Sequence, residues 1–412
     1  MIYMNHAATS YKRPPEVAEA VMGAMSSMGN EFRGSSAGEM NAARTIFGCR
    51  KKLAELFCFP HPDRVVLTAN ATTAMNMVLL GSFSIGDTVI ATDWDHNCVL
   101  RPLHILKQQG VRVLWWKADR SGQLDTDDLR KMIKENGRSG IRALICTHAS
   151  NLTGRILDLA AVSEITEEYG IRLIVDASQT AGALPIDMEA LGIDVLVFTG
   201  HKSLMGPQGT GGMCVVPSFY IRPLISGGTG FLSYEQEQPE SWPAHLEAGT
   251  PNGHGIAGLK TAAEYILEKG PEAIHRREME LTKRFLRGII GIEGVKIYGW
   301  DDLTEDEASL YRGSPKPDAG RNAVPYDGTG MTRTGHMPVV ALNIRDLPSE
   351  EVADILAEHF GIAVRAGAHC APRMHMALGT MQQGAVRFSF GYFNTEEEID
   401  TAIAALKEIA GG

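Results

Sequence analysis

The sequence predicts an α/β protein whose large domain is built on a mostly parallel, doubly wound sheet, followed by a smaller α+β domain. Three observations carry this prediction. Five apolar runs, each too short for a helix, end abruptly in polar residues: Val65–Thr68, Thr88–Thr92, Ala143–Thr147, Leu173–Val175 and Val195–Phe198. Runs of that kind are strands buried on both faces. Helical stretches separate them, which is the alternation of a doubly wound sheet. Beyond Ile290 the pattern changes to strands at Val295–Tyr298, Val339–Ile344, Ile362–Val364 and Val386–Phe388, with helices at Pro348–Phe360 and Thr395–Ile409.

In order along the chain, MIYMNHAAT reads as a short strand and turn. Pro14 and Pro15 then open a helix with Met22, Met25 and Met28 at helical spacing. That stripe is expected to pack on the core or on a partner subunit. A Gly-rich link from Gly29 to Gly38 precedes a helix reaching Phe57, and Ala69–Thr73 opens another through Leu80. Gly209–Val216 adds a strand whose short connection points to an antiparallel orientation. Helices follow at Ile256–Leu267 and Pro271–Ile290. The expected division is a large domain over residues 13–265 and a small one made of 1–12 and 266–412. The segment Trp300–Pro338 is acidic, then rich in Pro and Gly, without periodicity. A loop of that length is functional or a tolerated insertion, and a lid or docking element near the active-site mouth is one expectation for it.

The 412 residues carry a formal net charge of −10 with no offsetting basic tract, which argues against nucleic acid or an anionic membrane as partner. MIYMNHAATS has no basic stretch followed by a long apolar one, and no apolar run is long enough to span a bilayer. The six cysteines are scattered without a CxxC pair, as expected of a reduced, cytoplasmic protein.

In open sheets of this class ligands bind at the carboxyl ends of the strands. Those ends carry Asp176 with Gln179, and Thr199-Gly200-His201-Lys202. A lysine amine forms an imine with the aldehyde of pyridoxal 5'-phosphate when its surroundings keep the attacking form neutral. A carboxylate at Asp176 suits the pyridine nitrogen, and the Gln179 amide can donate to the ring's phenolic oxygen. Taken singly, Lys202 reads as a surface lysine and Asp176 as a helix cap; their combination after two successive strands reverses that reading. Thr72 and Thr73 begin a helix after a strand, a phosphate site, to which Thr199 and His201 can add contacts. His96 can lie on the ring and shuttle protons, and Asn151 can reach the phenolic oxygen or a substrate carboxylate. Near the end, IAVRAGAHCAP places Arg365 and Cys370 on a Gly-containing loop, where the thiol is expected to be exposed. Arg387 follows on a strand, a bidentate partner for a carboxylate. A soft-metal reading of His369, Cys370, Met374 and His375 fits no zinc spacing, so no metal is expected.

Together YMNHAATSYKRPPEV, ATTAMN, DWDH, SNLTG, VDASQTAG, FTGHKSLMGPQGTGG, EAGTPN, RAGAHCA and VRFSFGYFNTEEEID resemble the class V aminotransferase family, and within it the cysteine desulfurases and selenocysteine lyases. The resemblance covers almost the whole chain. It implies a fold-type-I pyridoxal-phosphate enzyme, a homodimer with shared active sites, acting on L-cysteine or L-selenocysteine. By that pattern Lys202 carries the cofactor, and Asp176 and Gln179 hold its ring. His96 stacks on it, and Thr72, Thr73, Thr199 and His201 hold the phosphate. Thr250 reaches the neighbouring subunit's phosphate. Asn151 and Arg387 fix the substrate carboxylate, with Arg365 beside them, and Cys370 attacks the substrate sulfur or selenium. The compact Cys370 loop is similar to that of desulfurases that pass sulfur to an acceptor protein. Three departures from the pattern bear on substrate and partner: Asn5-His6 near the start, Ser35-Ser36 where a histidine is expected, and the long Trp300–Pro338 loop. Alternatives are β-elimination to pyruvate, transamination or epimerisation, none of which needs a thiol, or a sulfur-relay scaffold that would not need Lys202.

Overall fold

The computed structural model describes residues 1–31, 36–137, 140–300 and 335–411. A seven-stranded sheet runs in the order Val65–Thr68, Gly211–Val215, Val195–Thr199, Arg172–Asp176, Ile141–Thr147, Thr88–Thr92, Arg112–Trp116. All neighbours are parallel except Gly211–Val215, which is antiparallel to both of its partners. The antiparallel expectation for that strand therefore holds. Its glycines are required by close packing: a Cβ on Gly212 would lie 2.3 Å from Val66 O and 2.7 Å from the Phe198 ring.

The apolar runs are continuous because both faces of the sheet are covered. Leu173, Val175, Leu196 and Phe198 enter one core with Leu53, Ile165 and Leu259 of the helices. Ile174, Val195 and Val197 enter the other with Met75, Val78, Val99 and Leu103. One strand of the large sheet, Arg112–Trp116, was not expected from the sequence, nor was the short pair Arg155–Ile156 and Gly335–His336. Arg112–Trp116 is an edge strand, exposed at Arg112 and half-buried through Trp115, so it lacks a run buried on both faces.

A third core is formed where the antiparallel strands Val295–Tyr298, Val339–Ile344 and Val386–Ser389 meet helices Pro271–Ile289, Ser349–Phe360 and Glu396–Gly411. Met4 joins it, the strand Ile2–Tyr3 pairs in parallel with Ile362–Ala363, and Asn5 bridges to Ser389. The chain start is thereby pinned beside Arg387.

The methionine stripe divides: Met28 packs against the main core, while Met22 and Met25 are 71% and 67% exposed and the helix Pro15–Ser27 buries Val17 and Ala24. Most of the irregular Trp300–Pro338 segment, the lid expectation with it, lies outside the described residues, as does Ser35. At its ends Trp300 stacks on His336 with centroids 3.8 Å apart, and Gly335–His336 pairs with Arg155–Ile156. Among the described residues no helix is long and apolar enough to cross a membrane.

Candidate active site

At the carboxyl edge of the large sheet lies a cavity of about 210 Å³ lined by His96, Asp176, Gln179, Thr199, His201 and Lys202, with Thr72, Asn151 and Arg365. Strand geometry brings these together. Asp176 and Thr199 are the last residues of adjacent parallel strands, and Lys202 is on the turn after Thr199.

Asp176 is 2% exposed. Its Oδ1 accepts the Ser178 N–H at 2.9 Å, the local turn contact an Asp commonly makes, and Oδ2 takes the Cys98 thiol at 3.6 Å. Burial pushes the Lys202 amine down from 10.5, the charges of Arg387 and Arg365 add to this, and Asp176 opposes it. An amine so placed loses its proton more readily than a surface lysine. His96 caps the helix Asn97–Gln108: its Nδ1 accepts the Cys98 N–H at 3.1 Å, which assigns the ring proton to Nε2. Burial, then the neighbouring Lys202 charge, lowers it to about 4, so the ring is neutral at neutral pH.

One end of the cavity is short of acceptors. Among the described residues Thr199 Oγ1, His201 Nδ1 and Ser178 Oγ are buried without a hydrogen-bond partner. The helix Ala71–Ser82 starts there, with Asn70 accepting the Thr73 N–H at 2.9 Å. The N–H groups of Ala71 and Thr72 have no carbonyl within their own helix. Two unpaired hydroxyls and an imidazole nitrogen lining the cavity together with a helix N-terminus suit an anion. The structure places Thr73 differently from Thr72: its hydroxyl turns to Asn70 Oδ1 at 3.2 Å, and it lines a second cavity of about 360 Å³ together with Thr250. Gln179 Nε2 donates to Ala7 O at 3.1 Å, which ties the amide to the N-terminal segment.

Arg365 lines the cavity, and next to it stand Arg387, whose backbone bridges to it, and the Cys370 thiol. Arg387 is wholly buried; Nη1 donates to Asn151 O at 2.7 Å and Nη2 to Asn5 Oδ1 at 3.2 Å, while Nε has no partner. Burial, then the Arg365 charge, lowers it to about 9. Asn151 Nδ2 donates to His369 O at 2.8 Å, and its Oδ1 is left unpaired. Arg365 Nη2 stands 3.6 Å from Cys370 Sγ. The thiol is half-buried, not exposed as the Gly-containing loop suggested, because Asn97 N–H grips Cys370 O at 2.9 Å.

Sequence reasoning missed Asn5, Asn70, Ser178 and Cys98. Asn70 was accessible as a capping residue just before ATTAMN; for Cys98 there was no local signal. Among the described residues no group of three or more His, Cys, Asp or Glu is arranged to hold a metal ion. His369 and His375 bond to each other.

The sequence pattern described as Aminotransferase class-V matches residues 2–311 and 328–401. A probable cysteine desulfurase of Methanothermobacter thermautotrophicus is 30% identical over 417 residues, covering 100% of this chain and 95% of that protein. Another from Pyrococcus abyssi is 30% identical, with 99% and 94% covered. Among solved structures, the apo cysteine desulfurase of Thermococcus onnurineus superposes with a TM-score of 0.84 at 30% identity, covering 100% of this chain and 95% of that one. The Escherichia coli cysteine desulfurase gives 0.81 at 26%, with 99% and 94% covered.

Proposed function

The chain belongs to the aminotransferase class-V family, and from that premise we propose that it is a pyridoxal-phosphate-dependent cysteine desulfurase that converts L-cysteine to L-alanine. The observation that carries the reading is the meeting of three groups at one strand edge. These are a buried amine at Lys202, a buried carboxyl at Asp176, and a thiol at Cys370 held beside Arg365, which lines the same cavity.

The residues fit the cofactor. Lys202 would carry it, with Asp176 at the ring nitrogen, Gln179 at the phenolic oxygen and His96 on the ring face. The unpaired groups of Thr199, His201 and Ser178, with Thr72 at the helix start, would hold its phosphate. Bound there, the cofactor supplies an aldehyde for the substrate amine and a ring that stores the electrons of a deprotonated Cα.

The rest of the work falls to the chain. Among the described residues Arg387 has no anionic partner, and Asn151, in the cavity lining, has an unpaired Oδ1; a substrate carboxylate would bind between them. Lys202, lowered by burial, is the group to take and return the Cα proton, and neutral His96 holds its proton on Nε2. Cys370 Sγ attacks the substrate sulfur as its thiolate, beside the Arg365 charge. An S–S bond forms, the Cβ–S bond breaks, and its electron pair stays on carbon and takes a proton. The products are L-alanine and a Cys370 persulfide, with no outside oxidant. L-Selenocysteine satisfies the same geometry.

A homodimer with shared sites is part of the reading. The cavity holding Thr250, together with exposed Met22, Met25, Leu232 and Tyr234, supports it. So is a protein that accepts the persulfide sulfur. The separate third core supports the boundaries 13–265 and 1–12 with 266–412.

The test is product analysis with L-cysteine and L-selenocysteine, with and without a thiol reductant. Alanine is expected, and Cys370→Ala should abolish its formation from L-cysteine. Pyruvate and ammonia in place of alanine, or alanine undiminished in Cys370→Ala, would sink the proposal.

A further inference from the structure

His369 stands between Arg365 and Cys370 in the chain, and its ring is tied into a directed chain of hydrogen bonds. Nε2 lies 3.1 Å from Arg365 O, and Nδ1 lies 3.4 Å from His375 Nε2. His375 Nδ1 lies 2.8 Å from Thr380 Oγ1, and the two rings are within 7° of parallel. The direction of each bond follows from the far end. A carbonyl only accepts, so His369 carries its proton on Nε2. Its Nδ1 is then a lone pair, so His375 donates from Nε2, and His375 Nδ1 takes the Thr380 hydroxyl proton. The order requires His369 to be neutral, and with His375 neutral as well each bond has one donor. Burial lowers both imidazoles from 6.5, and Arg387 adds to this at His369.

The anchor point is where both arginines meet. Arg365 O also accepts the Arg387 N–H at 2.8 Å, so His369 fills the carbonyl's second lone pair. His369 and Cys370 have φ of 53° and 55°. Two consecutive side-chain-bearing residues rarely hold that left-handed conformation. What holds it here is Asn151 on His369 O, Asn97 on Cys370 O, and the His369 ring itself.

We propose that the His369–His375 pair is a positioning element for the Cys370 thiol, locking the left-handed turn so that Sγ stays beside the Arg365 guanidinium. The effect on turnover rests on the desulfurase reading; the effect on the thiol does not.

The test compares His375→Leu with His375→Gln as holoenzymes. Two quantities are read: kcat and KM for alanine formation, and the rate of Cys370 alkylation by iodoacetamide from the mass of its peptide. In His375→Leu, kcat should fall about a hundredfold, the scale of an ångström-level misplacement of a reacting group. KM and cofactor content should hold, and the alkylation rate should change. The Gln amide can donate to His369 and accept from Thr380, so it should restore both readouts to within about fivefold, the span of one neutral hydrogen bond. A Leu variant with wild-type kcat and alkylation overturns the proposal. So does a Gln variant as impaired as Leu, which would make the pair packing alone. If His375→Leu fails to fold, Thr380→Val removes the first donor of the chain: lowered kcat with altered alkylation supports the proposal, and wild-type values overturn it. A wild-type enzyme that makes no alanine refutes the desulfurase reading, while alkylation still decides the positioning role.

Discussion

Replacing Arg387 by Met tests the proposed carboxylate-binding role of this residue. Arg387 is wholly buried, has a carbonyl and an amide oxygen as acceptors, and leaves Nε unpaired. Its lowering from 12.5 to about 9 corresponds to roughly 5 kcal/mol against the charge, at about 1.36 kcal/mol per pH unit. Arginine does not deprotonate in proteins, so the ligand-free fold carries that cost. Replacing it by an apolar chain of similar length removes up to that cost, about 5 kcal/mol. Against this, Asn151 O and Asn5 Oδ1 lose their donor, at about 1–3 kcal/mol for each that stays dry. The expected unfolding free energy of cofactor-free Arg387→Met is therefore within about 3 kcal/mol of wild type, measured in urea. Substrate binding should not be spared. Losing a desolvated charge partner for the carboxylate costs about 2–5 kcal/mol, or roughly 30-fold to several thousandfold in affinity. The assay is half-saturation of the substrate-induced absorbance change, for L-cysteine and for cysteamine, which lacks the carboxylate. Wild type should strongly prefer L-cysteine and the variant should not. A variant that keeps the preference, or that unfolds more than about 3 kcal/mol early, would refute the reasoning.

Two further outcomes follow from buried groups. Lys202→Ala should lose both alanine formation and the visible absorbance of a lysine-bound cofactor; near wild-type turnover would remove Lys202 from the mechanism. Glu278, buried on the helix Pro271–Ile289 with Oε2 unpaired, is raised by burial from 4.5 to about 8. Between those values the folded chain keeps a proton that the unfolded chain has lost, so this group's contribution falls as pH rises across the window, by at most about 5 kcal/mol. Glu278→Gln should gain stability relative to wild type between about pH 5 and pH 8 in denaturant titrations, and parallel profiles would contradict the assignment.

Local chemistry was enough to read the parallel strands, because a strand covered on both faces must be apolar throughout, as Val195–Phe198 is. It was also enough to locate Asp176 and Lys202, because a polar residue directly after such a strand stands at the sheet's ligand edge. The edge strand Arg112–Trp116 escaped because half-coverage leaves no such run. Tertiary structure alone decided what those residues touch. Asn5 meets Arg387 across 382 positions and Asn151 meets His369 across 218, and no periodicity encodes a contact between segments so far apart. The same holds for Cys98 on Asp176 and for the separation of Thr73 from Thr72, one side chain turned to each of two cavities. His375 shows the division most clearly. The sequence excluded a metal role for it and offered no other, while the fold turns its ring onto His369, where the proton order is set by a carbonyl ten residues back at Arg365.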